Sequence, residues 1–289
     1  MMPNLWPLAR TSHRWLQRMT RHEAQIDQHR MVWLERGQPG PDRPTVVLIH
    51  GFAAMKENWG AWFPLLPRHW HILAVDLPGF GESDYRPDAS YGYEAQAARL
   101  REWLCGRGLD NLHLVGSSMG GAIATVLAHQ LESGVRSLVL MNSAGIPEGP
   151  DVDIQRPVRN HNDRILIPDT LAGAYRMFNQ VGNGKVNPMG VVMAGILGPD
   201  LLKRTDAHRH IFADMGKDTY APVRYLHDSR IPLQVHWGDR DVITPTACVA
   251  YFQRPAINAD IQLYRGVGHL PMLEVPRRSA RALKAFIDR

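Results

Sequence analysis

The chain has 289 residues, of which 44% are hydrophobic and 21% charged, a composition typical of a soluble globular protein. Its net charge of +5 is spread along the chain without a basic block, a zinc-finger spacing or an aromatic RNA-binding signature, so we expect no nucleic-acid partner. The two cysteines form neither a disulfide framework nor a metal-ligand spacing, and we expect no cofactor and no metal.

Residues 1–22 are predicted to form a basic amphipathic helix. Arginines recur at helical spacing on one face and apolar residues lie on another: Arg10, Arg14, Arg18 and Arg21 against Trp15, Leu16 and Met19. We favour packing of the apolar face on the body of the protein, and the alternative is peripheral contact with an anionic membrane surface. Because the sequence has no 18-residue apolar run and no apolar core of a signal peptide near its start, we expect a cytoplasmic protein.

Short apolar or β-branched runs alternate with longer helical patterns in the rest of the chain. This alternation predicts an α/β fold with a mostly parallel sheet flanked by crossover helices. The predicted hairpin covers residues 23–35. The predicted strands are 45–50, 71–76, 111–115, 136–141, 231–237 and 260–264. The predicted helices are 58–67, 91–107, 119–132, 245–254 and 276–288.

Residues 146–229 interrupt this alternation, since they show little strand character between two strands. Structureless loops of this length are uncommon in compact domains. We therefore expect an inserted helical cap, or lid, between the two parts of the core, 23–145 and 230–289.

The strand ending at Val115 is followed by a G-x-S-x-G turn, from Gly116 to Gly120, and then by a helix of small residues. The motif alone is weak evidence, but the order of strand, sharp turn and helix is that of a nucleophile elbow. Two glycines leave room where strand and helix nearly touch. Ser118 fits this frame, so we predict it as the nucleophile.

The end of the first strong strand, at His50 and Gly51, is the second candidate part of the site. Acyl transfer builds negative charge on a carbonyl oxygen, and preorganised backbone N–H groups stabilise that charge. We predict an oxyanion hole formed by the N–H groups of Phe52 and Met119. The His50 side chain is interpreted as a hydrogen-bonded structural histidine.

The candidate acid and base follow the last two predicted strands. Asp239 and Asp241 both lie in the loop where a buried carboxylate would orient an imidazole. His269 follows a strand end in a glycine-lined loop, in the order Ser…Asp…His. No histidine pair has a zinc-binding spacing, so a metal mechanism has no support.

Together these segments resemble the α/β-hydrolase superfamily, over about residues 30 to 289. The matching motifs are HGF (50–52), DLPGFGES (76–83), GSSMGG (116–121), WGDRD (237–241) and GVGHLPMLEVP (266–276). Within the superfamily, HGFAAMKENW followed by DLPGFGESD is similar to bacterial lipases/esterases and monoacylglycerol-lipase-like enzymes. The resemblance implies Asp241 as the acid, His269 as the base, and Phe52 and Met119 as oxyanion donors; Asp239 would then serve the turn.

These residues predict a serine hydrolase that cleaves carboxylic esters through an acyl-enzyme on Ser118. Alternatives are C–C bond, thioester or amide hydrolysis by the same triad, or a non-catalytic ligand receptor. The small-molecule substrate is expected to be an ester or lipid with an apolar acyl group. Of the apolar cap residues, we expect Phe178, Met189 and Met193 to contact it.

Overall fold

The computed structural model describes residues 14, 17–131, 134–149, 152, 163–184, 188–226 and 229–289. An eight-stranded sheet of order β1-β2-β4-β3-β5-β6-β7-β8 lies at its centre. The strands are β1 (Thr20–Ile26), β2 (His29–Arg36), β3 (Thr45–Ile49), β4 (His71–Asp76), β5 (Leu112–Ser117), β6 (Val135–Met141), β7 (Leu233–Gly238) and β8 (Ala259–Tyr264). Strand β2 is antiparallel to β1 and β4, and the other neighbours are parallel.

Helices cover both faces of this sheet. Along β3 every residue is buried, and alternate side chains enter two different apolar clusters: Val47 and Ile49 enter one, Val46 and Leu48 the other. Strands buried on both faces are typical of parallel sheets with crossover helices. The predicted α/β fold is confirmed.

The helices are numbered in chain order among the described residues. They are α1 (Tyr93–Gly106), α2 (Met119–Leu131), α3 (Asp163–Leu166), α4 (Leu171–Val181), α5 (Pro188–Lys203), α6 (Thr205–Gly216), α7 (Ala221–Leu226), α8 (Val249–Phe252), α9 (Pro271–Glu274) and α10 (Pro276–Ile287). Helices α3 to α7 all lie between β6 and β7, in the segment predicted to form the insertion. No helix of the described residues is long and apolar enough to cross a membrane.

The predicted helix over 58–67 is wrong. A short 3-10 helix, Lys56–Trp59, is followed by turns instead. Pro64 and Pro67 explain the difference, because a proline inside a helix lacks the N–H donor and clashes with the preceding turn.

Most of the predicted N-terminal helix over 1–22 lies outside the described residues. Its last part is wrong, since β1 begins at Thr20 and pairs along its length with β2. Arg18 has a φ of +55°, a left-handed conformation that a helix does not contain. Arg14 is buried, and its guanidinium pairs with the carboxylates of Glu57 and Glu82 rather than lying on a solvated basic face.

Candidate active site

The candidate nucleophile lies at a strained turn between β5 and α2. Ser118 has a φ of +52°, a conformation that costs a non-glycine residue about 1–2 kcal/mol. A Cβ at Gly116 would overlap the carbonyl oxygen of Gly120, and a Cβ at Gly120 would overlap that of Ile49. Glycines on both sides of Ser118 therefore allow β5, β3 and α2 to approach closely enough to form the elbow.

His269 and Asp241 meet because β7 and β8 are neighbouring parallel strands whose carboxyl ends lie at one edge. Asp241 Oδ2 lies 2.7 Å from His269 Nδ1. A carboxylate only accepts, so Nδ1 carries the proton and Nε2 keeps the lone pair that a general base needs. Asp239, the alternative acid, instead accepts the N–H of Gly266 at 2.7 Å.

The Asp241 carboxylate is buried among hydrogen-bond donors. Oδ1 accepts the N–H groups of Ile243 at 2.8 Å and Thr244 at 3.1 Å. Oδ2 accepts the Thr244 hydroxyl at 2.6 Å and the side-chain amide of Asn142. Burial alone would raise the pKa of Asp241, but His269 and the hydrogen bonds lower it below its ordinary value. The group therefore stays ionised beside the imidazole.

Asn142 and Thr244 are two residues of this site that sequence reasoning missed. Asn142 directly follows β6 and has a φ of +46°, and its side chain also accepts the N–H of Gly238 at 3.3 Å. The sequence did contain one signal for Asn142: it is a polar residue directly after a buried central strand, at the edge that holds Ser118. Thr244 gives no comparable signal, since threonine is common in turns.

The predicted oxyanion donors flank Ser118. A Cβ on Gly51 would lie 3.1 Å from the Cβ of Ser118, so the loop after β3 passes directly beside the nucleophile. Met119 is the first residue of α2, and an N–H at that position has no intrahelical acceptor. Phe52 and Met119 both line the same cavity as Ser118.

The buried imidazole of His50 fixes the peptide group between Gly51 and Phe52. Its Nε2 lies 3.1 Å from the backbone nitrogen of Leu77, which only donates, so Nε2 is the acceptor. Burial lowers the pKa of His50, and in the neutral ring the proton is then on Nδ1, which donates to the Gly51 carbonyl at 2.7 Å. Because a trans peptide is planar, holding this carbonyl on one side directs the Phe52 N–H to the other.

A cavity of about 330 Å³ opens at Ser118. Its wall combines apolar and polar surface: the apolar and aromatic side chains include Tyr93, Ile146, Leu166, Phe212 and Met215, and the polar ones include Glu148 and Thr219. Helix α6 supplies Phe212, whose ring lies 5.3 Å from that of Phe52. The volume is near the lower end for small-molecule sites.

The structure does not place Phe178 or Met193, two of the three predicted substrate contacts in the insertion, on this cavity. Phe178 and Met193 are half-buried, but the described lining of the cavity at Ser118 includes neither, and the side chain of Met189 lies outside the described part of the structure. Helix α4 instead ends on the loop of the candidate base, where the His269 N–H donates to the Val181 carbonyl at 3.0 Å. Helices α4, α5 and α6 all carry apolar residues, and the sequence does not distinguish which of them covers the cavity.

A larger cleft, of about 820 Å³, lies at the opposite edge of the sheet. Its wall includes residues at the amino ends of the strands, among them Pro44, His113 and Pro232. In open α/β sheets ligands bind outside the carboxyl ends of the strands. The cavity at Ser118 is therefore the candidate active site.

Known proteins match both the sequence and the fold. A family model described as the alpha/beta hydrolase fold matches residues 44–164. Lipase 1 of Psychrobacter immobilis is 30% identical over 262 residues, which cover 89% of this chain and 80% of the relative. Monoacylglycerol lipase ABHD6 of Homo sapiens is 25% identical over 262 residues, which cover 87% and 77%. The structure of a membrane phospholipase A, described as a novel bacterial virulence factor, has a TM-score of 0.86 at 30% identity and covers 98% of this chain and 90% of that one.

The fold and the site together define a serine hydrolase. An elbow serine, an imidazole hydrogen-bonded to a buried carboxylate and a cavity beside them are the parts that acyl transfer requires. The chain belongs to the α/β-hydrolase superfamily, as its motifs indicated.

Proposed function

We propose that this protein hydrolyses carboxylic esters with apolar acyl groups, such as monoacylglycerols or short to medium acyl esters. The protein is a serine carboxylester hydrolase. The proposal names the residues that carry out the reaction and the esters that they cleave. The observation that carries it is the 2.7 Å hydrogen bond between His269 and Asp241, at the edge where the strained Ser118 opens on a cavity with apolar side chains in its wall.

The proposed mechanism is a two-step acyl transfer. His269 Nε2 accepts the Ser118 proton as Oγ attacks the ester carbonyl, and Asp241 stabilises the resulting imidazolium. The N–H groups of Phe52 and Met119 bind the oxyanion of the tetrahedral intermediate. The imidazolium then donates its proton to the leaving alcohol, and water repeats the cycle on the acyl-enzyme.

The apolar part of the wall supports an acyl group as the part of the substrate that enters the cavity. Phe212 and Met215 of α6 offer aromatic and flexible aliphatic surface, and a methionine adapts to chains of different shape. A volume of about 330 Å³ favours short to medium chains over long ones. The names of the relatives, which include lipases and a monoacylglycerol lipase, favour lipid esters.

The test is hydrolysis of p-nitrophenyl esters from acetate to palmitate by the wild type, Ser118→Ala and Ser117→Ala. Ser117 is a matched control, because it is a buried neighbouring serine whose hydroxyl has no partner among the described residues. We expect a maximum at one chain length, a loss of about 10⁶-fold in kcat for Ser118→Ala, and near wild-type activity for Ser117→Ala.

Esterase activity that survives in Ser118→Ala would contradict the assigned nucleophile. Labelling of the wild type by a fluorophosphonate without ester turnover would favour C–C, thioester or amide hydrolysis by the same triad. Ligand binding without labelling would favour the receptor alternative.

We also propose that the protein contacts lipid surfaces peripherally. Large apolar side chains of α4 and α5 are between 41% and 57% exposed: Leu171, Val191, Val192 and Ile196. Between Pro188 and Pro199, α5 carries no charged residue, although a helix face in water is ordinarily polar. The predicted basic helix at the N-terminus, most of which lies outside the described residues, stays a second candidate for this contact.

Cosedimentation with phosphatidylcholine vesicles, with and without phosphatidylglycerol, tests this contact. We expect the double variant Val191→Ser and Ile196→Ser to bind less than the wild type to both kinds of vesicle, because these side chains are exposed apolar surface. Equal binding by the double variant, together with loss of binding on deleting residues 1–13, would assign the contact to the N-terminus instead.

A further inference from the structure

Three consecutive N–H groups in the loop that carries the candidate base have fixed acceptors. The Gly268 N–H donates to both carboxylate oxygens of Glu274, at 3.1 and 2.9 Å, and the Leu270 N–H donates to Glu274 Oε1 at 3.2 Å. Between them, the His269 N–H donates to the Val181 carbonyl at 3.0 Å. One carboxylate therefore binds the backbone on both sides of His269.

This loop needs external support. Gly266, with a φ of +73°, and Gly268 give the backbone conformational freedom on the side that leads from β8. The position of the imidazole relative to Asp241 and Ser118 depends on that backbone. The two glycines do not restrict the loop. The hydrogen bonds to the side chain of Glu274, on α9, do.

A half-buried carboxylate such as that of Glu274 is an uncommon group for a purely structural support. Its side chain is half-buried, and no lysine or arginine pairs with it among the residues that the structure describes. Burial raises the pKa of Glu274, the nearby charge of Asp241 acts in the same direction, and the N–H groups of Gly268 and Leu270 oppose the shift. A second carboxylate beside Asp241 is therefore held there chiefly by the loop that it binds.

We infer that Glu274 is a positioning residue for the general base: its carboxylate holds the N–H groups on both sides of His269 and so places the imidazole against Asp241. The inference rests on the proposed function and extends it to a residue that contacts neither the substrate nor the reacting atoms. The competing explanation is capping of α9, since Leu270 is its N-cap and a glutamate in the first turn commonly accepts that N–H. Capping accounts for the bond to Leu270 but not for the two to Gly268, which precedes the helix.

The experiment compares Glu274→Gln and Glu274→Ala with Ser279→Ala. Ser279 is the matched control, because its buried hydroxyl donates to the Pro271 carbonyl at 3.1 Å and so supports the same helix without touching residues 268–270. Three quantities are measured: the melting temperature, kcat and KM with p-nitrophenyl butyrate, and the low-field proton NMR signal of the His269 Nδ1–H. Glutamine is nearly isosteric with glutamate, and it keeps the test open if the alanine variant does not fold.

We expect Glu274→Gln to lower kcat by about 10–100-fold with little change in KM, because small misplacements of a catalytic group have effects of this size. The amide oxygen can take the place of Oε1, but an NH2 group, which only donates, then takes the place of Oε2 and faces the Gly268 N–H, so the 2.9 Å bond is lost. The Nδ1–H signal broadens or shifts in Glu274→Gln and stays in place in Ser279→Ala, whose kcat is near that of the wild type.

A Glu274→Gln variant with wild-type kcat and an unchanged Nδ1–H signal, but a lowered melting temperature, would overturn the inference and leave a helix cap. The NMR signal does not depend on turnover. It therefore tests Glu274 even in a protein that hydrolyses none of the esters, and a failure of the proposed function is distinguishable from a failure of this inference.

Discussion

Two different replacements of His50 distinguish its effect on the orientation of the proposed oxyanion donor from its effect on the stability of the fold. His50→Leu keeps apolar bulk against Phe80, whose ring centroid lies 5.5 Å from that of the imidazole, and removes both hydrogen bonds. The Leu77 N–H and the Gly51 carbonyl are then left without their side-chain partner. Each unsatisfied buried group costs about 1–3 kcal/mol, so we expect the free energy of unfolding to fall by about 2–6 kcal/mol.

The same substitution is expected to lower activity through the Phe52 N–H. Deleting one oxyanion donor costs about 10²–10³ in kcat, and releasing the Gly51–Phe52 peptide from His50 misdirects the donor without deleting it. We therefore expect His50→Leu to lower kcat by about 10–100-fold. KM changes little, because the oxyanion exists only in the transition state and the intermediate.

His50→Asn is the matched variant. Its side-chain amide retains a donor for the Gly51 carbonyl and lacks an acceptor that reaches the Leu77 N–H. We expect a loss of about 1–3 kcal/mol of stability with kcat within a few-fold of wild type. Urea unfolding and steady-state hydrolysis of p-nitrophenyl butyrate measure the two effects. Equal losses of kcat in both variants, or an unchanged kcat in His50→Leu, would refute the reasoning.

Two further predictions concern the surroundings of the site, and a third concerns the pH dependence of the stability of the fold. Gly268→Ala places a Cβ on the carbonyl of Gly182, so we expect it to displace α4 from the His269 loop. The variant should change kcat by a larger factor than KM, and a wild-type kcat would contradict this. Asn142→Ala removes a donor to Asp241 and should lower kcat about 10-fold or more, measured at saturating ester. Burial lowers the pKa of three histidines: His113 to about 4, His208 to about 4 and His236 to about 3. Unfolded histidines titrate near 6.5 and bind more protons below that pH, so the unfolding free energy should fall as pH decreases from about 6.5, by up to about 1.4 kcal/mol per pH unit per histidine. Urea unfolding at pH 7, 6 and 5 checks this, and a flat profile would contradict it.

The fold and the serine turn were predictable because they depend on local patterns with few solutions. Buried parallel strands read as apolar runs, and the strand over 71–76 lies where it was predicted. The turn at Ser118 was predictable because only glycines fit two residues away on either side. The superfamily assignment used the same constraints and is confirmed.

The supporting residues of the site and the position of the substrate cavity depend on contacts that the sequence does not show. Asn142 reaches Asp241 across 99 positions, and nothing near either residue indicates the pairing. The substrate contacts expected on α4 and α5 are a similar case: the described cavity wall uses α6 through Phe212 and Met215, and an apolar pattern does not specify which helix packs where. Glu274 lies only five positions after His269, yet its role depends on how α9 folds back on the loop.

Space and rigidity in this site come from different residues. Glycines provide the space, since Gly51, Gly116 and Gly268 each lie where a side chain would meet another backbone or Ser118. The same residues make the loops flexible, and a catalytic group that moves by about 1 Å loses much of its effect. Polar side chains restore the rigidity: the buried His50 holds the loop of the proposed oxyanion donor, and the half-buried Glu274 holds the loop of the proposed base. Glycines are specific enough to be recognised in a motif, whereas many polar residue types can support a loop. A sequence motif therefore locates the reacting groups of such an enzyme and leaves out the residues that hold them in place.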